Sequence, residues 1–342
     1  MIFFAMNSIA QNKQCAGGDI CNWDYNKKAA VVLTFDDWTP GQFPLVVPTL
    51  KKNKMVATFF PILSNVEKSD LGWKAIQTAQ KNGNEIGNHS LTHPDVTKLS
   101  DADLQTEIRT PQSEIEKNVS HNRVISFAYP YGAGADNQRV IDSLRNSGHL
   151  GARSVWGMSN YSYNFAQTDD DYYRIQMYGM NERTKNSQFF SEVEKTIAGG
   201  GLITFLYHSV DDDLGSCNDT WYAQVKLDSL KEQIQFLKKQ NVWVTTFGSA
   251  ILYHREVHSA SLYELYNQVG EGRFFELIIA DDNFLQRIDS TLFVPLSVIV
   301  YKNNGGTYSS VKQGDKQIPI DLQTDTYIQF RVVPNGGRIV VK

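Results

Sequence analysis

Between residues 29 and 259 the chain alternates short β-branched, apolar runs with longer stretches of helical period, and this alternation limits the fold more than any other feature. It is the signature of repeated β-α units around a mostly parallel sheet or barrel, an α/β class. The runs at 30–35, 55–60, 85–88, 124–128, 202–207 and 242–246 are too short and too apolar for surface helices and are expected as strands. Helices are expected between them: one over 71–81 that ends at Gly83, one opened by Ser100 with Asp103 three residues on and kinked or split by Pro111, and one over 227–239. Past residue 259 one more helical stretch precedes runs at 274–280, 292–301, 317–322, 327–333 and 338–341, separated by Asn-Gly and Gly-Gly turns. That pattern predicts a small antiparallel β-sandwich. The expected organisation is an N-terminal segment over 1–28, an α/β body over 29–259 and a β-rich domain over 260–342.

Several strand ends carry reactive side chains. Val31-Val32-Leu33-Thr34-Phe35 runs directly into Asp36-Asp37-Trp38, so two carboxylates stand at the C-terminal end of a buried strand, where β/α barrels collect their active sites. Alone, such a pair is more often turn chemistry. After the run at 85–88 come His89 and His93, four positions apart, a spacing that on one helical turn points both rings to one face. Two His and one carboxylate make a three-ligand set with positions open to water, as a hydrolytic Zn²⁺ or similar divalent ion requires. Phe127-Ala128-Tyr129-Pro130-Tyr131-Gly132 comes after another strand, and its Pro and Gly fix a loop whose N–H groups can face a pocket. His208, after the run at 202–207, is one more imidazole at a strand end and a candidate general acid. His254 and His258 repeat the four-residue spacing, but in a charged stretch beside Arg255 they read as a solvated helix face; His121 and His149 read as ordinary surface residues.

Composition narrows the partners. With 342 residues, 41% hydrophobic and 20% charged, the chain has enough apolar material for about two packed domains and is not intrinsically disordered. Thirty-three basic against 37 acidic residues, net −4 with no long basic block, argue against nucleic acid and anionic lipid. No apolar run reaches the roughly 18 residues of a membrane span. Eighteen Phe, 16 Tyr and 6 Trp suit a neutral ligand gripped by aromatics. Cys15, Cys21 and Cys217 have neither zinc-site spacing nor the density of a disulfide scaffold. Residues 1–11, apolar over 2–6 with small Ser8 and Ala10, read as the tail of a secretory leader without its basic region, so a secreted or periplasmic protein is expected. Oligomeric state stays open.

In order, Thr34-Phe35-Asp36-Asp37, His89-Ser90-Leu91-Thr92-His93-Pro94, Tyr129-Pro130-Tyr131-Gly132 and Leu206-Tyr207-His208 make residues 29–259 resemble the polysaccharide deacetylase family, also called carbohydrate esterase family four or the NodB homology domain. The resemblance implies a distorted (β/α) barrel, a divalent metal (zinc first, with cobalt or nickel as the other candidates) and removal of acetyl groups from an acetylated polysaccharide. By position it implies Asp36 as catalytic base, Asp37, His89 and His93 as metal ligands, Tyr131 as oxyanion donor through its backbone N–H, and His208 as general acid. Trp38, Trp156, Tyr161, Tyr163 and Trp221 are then candidates to line a sugar groove.

Two departures stand out. Ala128 occupies the position where the family usually has an Arg two residues before the Pro, and no Asp-x-x-Asp-Trp motif lies between Arg153 and Ile175. A carboxylate base beside a metal benefits from a second positive group that orients it. Arg153, just after the next strand along, is the candidate replacement. The rival readings are a metal-independent amidohydrolase of the same fold, against which the Asp37, His89 and His93 set speaks, and a carbohydrate-binding protein on a catalytically decayed scaffold.

Overall fold

The computed structural model describes residues 17–68, 72–155, 160–212, 222–265, 272–303 and 306–342. The chain divides into two compact units, one over Lys28–Ile251 and one combining the N-terminal residues through Lys27 with Leu252–Lys342.

Eight strands form the barrel of the larger unit, β1 (Ala29–Asp36), β2 (Thr58–Phe60), β3 (Glu85–Ile86), β4 (Ser126–Ala128), β5 (Gly151–Arg153), β6 (Tyr178–Gly179), β7 (Gly200–Tyr207) and β8 (Val242–Thr245), and the short strands Asn160–Ser162, Val210–Asp211 and Val225–Lys226 lie beside them. β1 is buried along its whole length, as a central parallel strand covered on both faces must be. On one edge it pairs in parallel with β7; on the other, β8 takes its first half and β2 its second. β2 pairs onward to β3, and β6 pairs with β7. β4 and β5 form a separate parallel pair, joined to the rest by two single bridges, Asn88 to Phe127 and Arg153 to Ile175. The ladders therefore run round an irregular (β/α) barrel in which two joints are one residue pair wide. Gly87 lies at the first joint because a Cβ there would meet the Phe60 ring at 2.4 Å and Ser126 Oγ at 2.7 Å.

At the N-terminal end of the strands one carboxylate ties four elements. Half-buried Glu85 accepts hydrogen bonds from Thr58 Oγ1 (2.8 Å), Ser126 Oγ (2.7 Å) and the Gly248 N–H (2.8 Å), joining the starts of β2, β3 and β4 to the first turn of helix Phe247–Ser259. Helices expected from the sequence form at Gly72–Lys81, Asp101–Asn118 and Leu227–Leu237, and Ser100 caps the second by accepting from the Asp103 N–H at 3.2 Å. Pro111 does not split that helix, contrary to expectation. Its ring is buried in the interior, so packing offsets the hydrogen bond that the proline cannot give to the Glu107 carbonyl one turn back.

The smaller unit contains two antiparallel sheets. One orders Gly18–Ile20, Leu296–Tyr301, Tyr327–Val332 and Ile320–Gln323; the other orders Ala260–Leu265, Arg273–Ile279, Ile339–Val341, Val311–Gln313 and Lys316–Ile318. Residues 260–265 are a strand and not a further helix. Leu262 and Leu265 mimic a helical spacing, but the segment pairs along its length with Arg273–Ile279, burying Leu262 opposite Leu277. Cys21 is buried in this unit, and burial pushes its thiol up to about 12; Cys15 and Cys217 lie outside the described residues. Among the described residues no helix is long and apolar enough to cross a membrane.

Candidate active site

The site gathers at the C-terminal ends of the barrel strands, where β1 delivers Asp36 and Asp37, the loop after β3 His89 and His93, the turn after β4 Tyr131, β5 Arg153 and β7 His208. At the end of β1 the backbone turns left-handed over two non-glycine residues, Asp37 (φ 71°) and Trp38 (φ 58°). Ser90 (φ 66°), His93 (φ 65°) and Tyr131 (φ 57°) share that conformation in the later loops. Side chains rarely adopt it, so strain is concentrated around one cleft. The cleft encloses about 470 Å³, lined by Asp36, Asp37, His89, His93, Tyr131 and His208 with apolar Val155, Met177, Met180 and Leu206.

Asp37 Oδ1, His89 Nε2 and His93 Nε2 converge, with His89 3.3 Å and His93 3.9 Å from the Asp37 oxygen. These three residues are the one group among the described residues whose donor atoms could share a metal, all lying within 4.8 Å of one another. His89 Nδ1 sits 2.8 Å from the Ala128 carbonyl, which can only accept, so the ring proton is there and the Nε2 lone pair faces the carboxylate. Only a cation between them, or a second proton on His89, makes that contact favourable. Burial disfavours charge on both groups; the Asp36 and Asp37 carboxylates nevertheless raise the His89 imidazole, and the His89 hydrogen bond and charge bring Asp37 below the ordinary range. Burial and the charge of His89 lower His93. The donor set and its electrostatics fit a divalent cation.

The loop carrying both histidines is held from behind. Glu107 accepts from the N–H groups of Leu91 (2.8 Å) and Thr92 (2.9 Å) and from Thr92 Oγ1 (2.6 Å). Ser90 Oγ accepts from the His93 N–H (2.9 Å) and Asn88 Oδ1 from the Ser90 N–H (2.9 Å). Asn88 Nδ2 in turn faces His149 Nε2 at 3.3 Å. His149 is thus buried and not on the surface as its place beside Gly148 suggests; His121 is exposed. Sequence reasoning missed Glu107, whose only trace was a lone acid on the apolar side of a helix.

Asp36 is fully buried and Arg153 Nη2 donates to its Oδ1. The guanidinium also bonds the Ser154 carbonyl (3.2 Å) and lies over the Phe60 ring, 5.0 Å from its centroid. Arg153 reaches Asp36 because β5 pairs with β4, which sets Arg153 beside Ala128 in register. Asp36 Oδ2, 3.5 Å from His89 Nε2, has no hydrogen-bond partner. His208 stands beyond β7; burial lowers its imidazole, the Asp36 and Asp37 charges oppose this, and its Nδ1 has no partner among the described residues. Tyr131 lies in the short 3-10 turn Pro130–Gly132; Pro130 has no N–H and that of Gly132 donates to the Tyr129 carbonyl at 2.9 Å, which leaves the Tyr131 N–H as the turn's remaining donor.

The aromatic groove differs from expectation. Trp38 is buried against Phe59 (5.4 Å), Tyr161 donates to Glu192, and neither they nor Tyr163 line the cleft; Trp156 and Trp221 lie outside the described residues. The cleft's aromatics are Tyr131, edge-on to His93 at 4.5 Å, and Tyr222, edge-on to His208 at 5.3 Å, both exposed.

Residues 24–151 match the family model described as polysaccharide deacetylase. The likeness covers 128 of the 342 residues. The match includes Asp36, Asp37, His89, His93 and Tyr131 and stops short of Arg153 and His208. Among curated proteins the chain is 38% identical over 117 residues to a peptidoglycan-N-acetylmuramic acid deacetylase of Bacillus subtilis, covering 34% of this chain and 24% of that protein. It is 22% identical over 356 aligned residues to a gellan lyase of a Bacillus species, covering 96% of this chain and 13% of the lyase. The chain thus spans a quarter or less of the length of these two relatives. A solved structure of a peptidoglycan deacetylase from Bacillus subtilis is 26% identical, matched over 68% of this chain and 96% of that one with a TM-score of 0.44.

Proposed function

We propose that this chain is an exported, metal-dependent hydrolase that removes acetyl groups from a polysaccharide. The observation that carries the reading is the convergence of Asp37 Oδ1, His89 Nε2 and His93 Nε2 beside a buried Asp36 held by Arg153. Asp37, His89 and His93 would hold one divalent ion, zinc first by its N/O donor set. Such an ion supplies Lewis acidity, lowering the pKa of a water and polarising an acetyl carbonyl. Asp36, oriented by Arg153, accepts the proton of the attacking water through Oδ2, the oxygen with no other partner. The Tyr131 N–H donates to the developing oxyanion. His208 delivers a proton to the departing sugar nitrogen or oxygen, which would otherwise leave as a poor anion.

Val155, Met177, Met180 and Leu206 give the cleft apolar wall for an acetyl methyl, and the exposed Tyr131 and Tyr222 rings suit a sugar face. The rival reading, a binding protein on a decayed scaffold, draws on Ala128; Arg153 on Asp36 weighs against it. The name of the Bacillus subtilis relative makes N-acetylated peptidoglycan the first substrate to try. The deciding experiment measures acetate release from N-acetyl and O-acetyl glycans side by side, with and without a chelator. Release abolished by the chelator and restored by added Zn²⁺ is expected; no release from any acetylated glycan would leave the binding reading standing.

A further inference from the structure

The parallel ladder between β1 and β7 ends at the pair Phe35 and Tyr207, whose rings stack at 5.0 Å. Asp36 and His208 are the next residues on the two strands, so base and acid stand immediately beyond the last ladder bond. On its other edge the end of β1 remains held, since Asp36 is in register with Phe60 and the Asp37 N–H bonds the Phe60 carbonyl at 3.0 Å. Toward β7 the backbone provides nothing further. Gln42, fully buried in the π-helical turn Gln42–Val46, fills that place: its Nε2 donates both to the Asp36 carbonyl and to the His208 carbonyl, the latter at 3.0 Å. Both partners are carbonyls that can only accept, which fixes the amide orientation. The Oε1 atom is left buried without a partner, the arrangement expected where the two N–H groups are what the position requires. Thr39 Oγ1 adds a bond to the His208 carbonyl (3.2 Å), while Gln42 spans the two strand ends.

We propose that Gln42 is a positioning residue: its side-chain amide replaces the missing ladder rung and fixes the separation between Asp36 and His208. That the separation serves proton transfer on both sides of an acetyl carbon rests on the deacetylase reading; the clamp itself does not. An amide one methylene shorter cannot reach both carbonyls, and a thioether of similar size fills the space with no N–H, so in either case the strand ends are free to part. Misplacement of reacting groups by about 1 Å costs up to a hundredfold in rate.

The test uses Gln42→Met and Gln42→Asn in the full chain, with metal content, kcat and KM for acetate release, and crystal structures of wild type and variant. Expected are a fall in kcat of about ten- to a hundredfold, an unchanged KM, unchanged metal stoichiometry, and an Asp36–His208 Cα separation enlarged by more than about 0.5 Å. A folded variant with wild-type kcat overturns the proposal, as does a loss of activity that tracks loss of metal, and failure of both variants to fold would make Gln42 a plain structural residue and overturn it too. If the wild type releases no acetate, the deacetylase reading has failed, and the crystal structures still decide the clamp: parted strand ends support it and unmoved ones end it.

Discussion

The chain contains the same histidine spacing twice, and the two copies have opposite fates. His89 and His93 lie on an irregular loop after β3, their rings 4.7 Å apart and tilted by 72°, with both Nε2 atoms aimed at Asp37. His254 and His258 lie on the continuous helix Phe247–Ser259, their rings 4.0 Å apart and tilted by 34°, and His258 Nδ1 is spent on the His254 carbonyl at 2.8 Å. The intervening Glu256 is buried and accepts from the Val294 N–H at 3.0 Å, and these residues are not among those able to share a metal. Spacing by four is therefore not what makes a site. A carboxylate delivered by the end of another barrel strand, β1, and a carbonyl that takes up the other ring nitrogen of His89 make the difference.

The largest effect that sharpens this contrast is loss of the metal. His93→Ala should drop metal stoichiometry from one toward zero and acetate release by more than about a hundredfold, since even outer-shell partners are worth about 10- to 100-fold. His258→Ala should leave both unchanged. Equal effects of the two substitutions on metal content, measured by elemental analysis of purified protein, would erase the distinction. Next, Asp36→Asn should retain the metal and lose about a hundredfold or more in kcat, the usual worth of a positioned base; near wild-type turnover would remove Asp36 from the mechanism.

The parts of the molecule legible in the sequence are those that rest on local pattern. The buried strand 30–35 and the acids directly after it are legible because a parallel strand covered on both faces is apolar throughout, and the acids just past its end face the cleft. Residues 260–265 look helical in sequence because their strand identity comes from a partner beginning eight residues later. The stretch around His254 looks solvated from its charges, yet His254, Arg255 and Glu256 are all buried. Gln42 and His149 leave no signal in the sequence, and Glu107 only that of a lone acid on a helix, because each acts through tertiary contacts 6 to 166 residues away. Arg153 is legible only once Ala128 marks a vacancy on the adjacent strand.

A smaller effect is expected behind the histidine loop. Glu107→Ala leaves the Leu91 and Thr92 N–H groups without their acceptor and loosens the turn that aims His89 and His93. Metal affinity, read by chelator competition, should fall by about 10- to 100-fold, while Glu114→Ala on the same helix should change nothing. An unaltered affinity in Glu107→Ala would mean that the loop holds its shape from Asn88 and Ser90 alone.

The smallest effect separates the two units by the sign of their pH response. Asn88 Oδ1 accepts from the Ser90 N–H, which turns Nδ2 toward His149 and makes His149 Nε2 an acceptor, so the folded larger unit needs this ring neutral. Burial holds the His149 imidazole down at about 4, against 6.5 for the free side chain. Between those values the unfolded chain binds a proton that the folded one does not, so stability is full above pH 6.5 and is lost as pH falls. From pH 7.5 to pH 6 the loss from this group comes to about 0.8 kcal/mol, a fall in Tm of about 2 to 3 °C. Glu256, in the smaller unit, runs the other way: burial raises its carboxyl to about 8, so the folded state holds a proton that the unfolded chain releases, and stability is lost as pH rises from 4.5 through 8. Hydrogen exchange on the metal-free protein, resolved by segment, should show β4 and β5 less protected and the helix around Glu256 more protected at pH 6 than at pH 7.5. His149→Gln, which cannot titrate but can still accept from Asn88, should flatten the first trend and leave the second; a variant with the wild-type pH slope in β4 and β5 would show that some other group carries it.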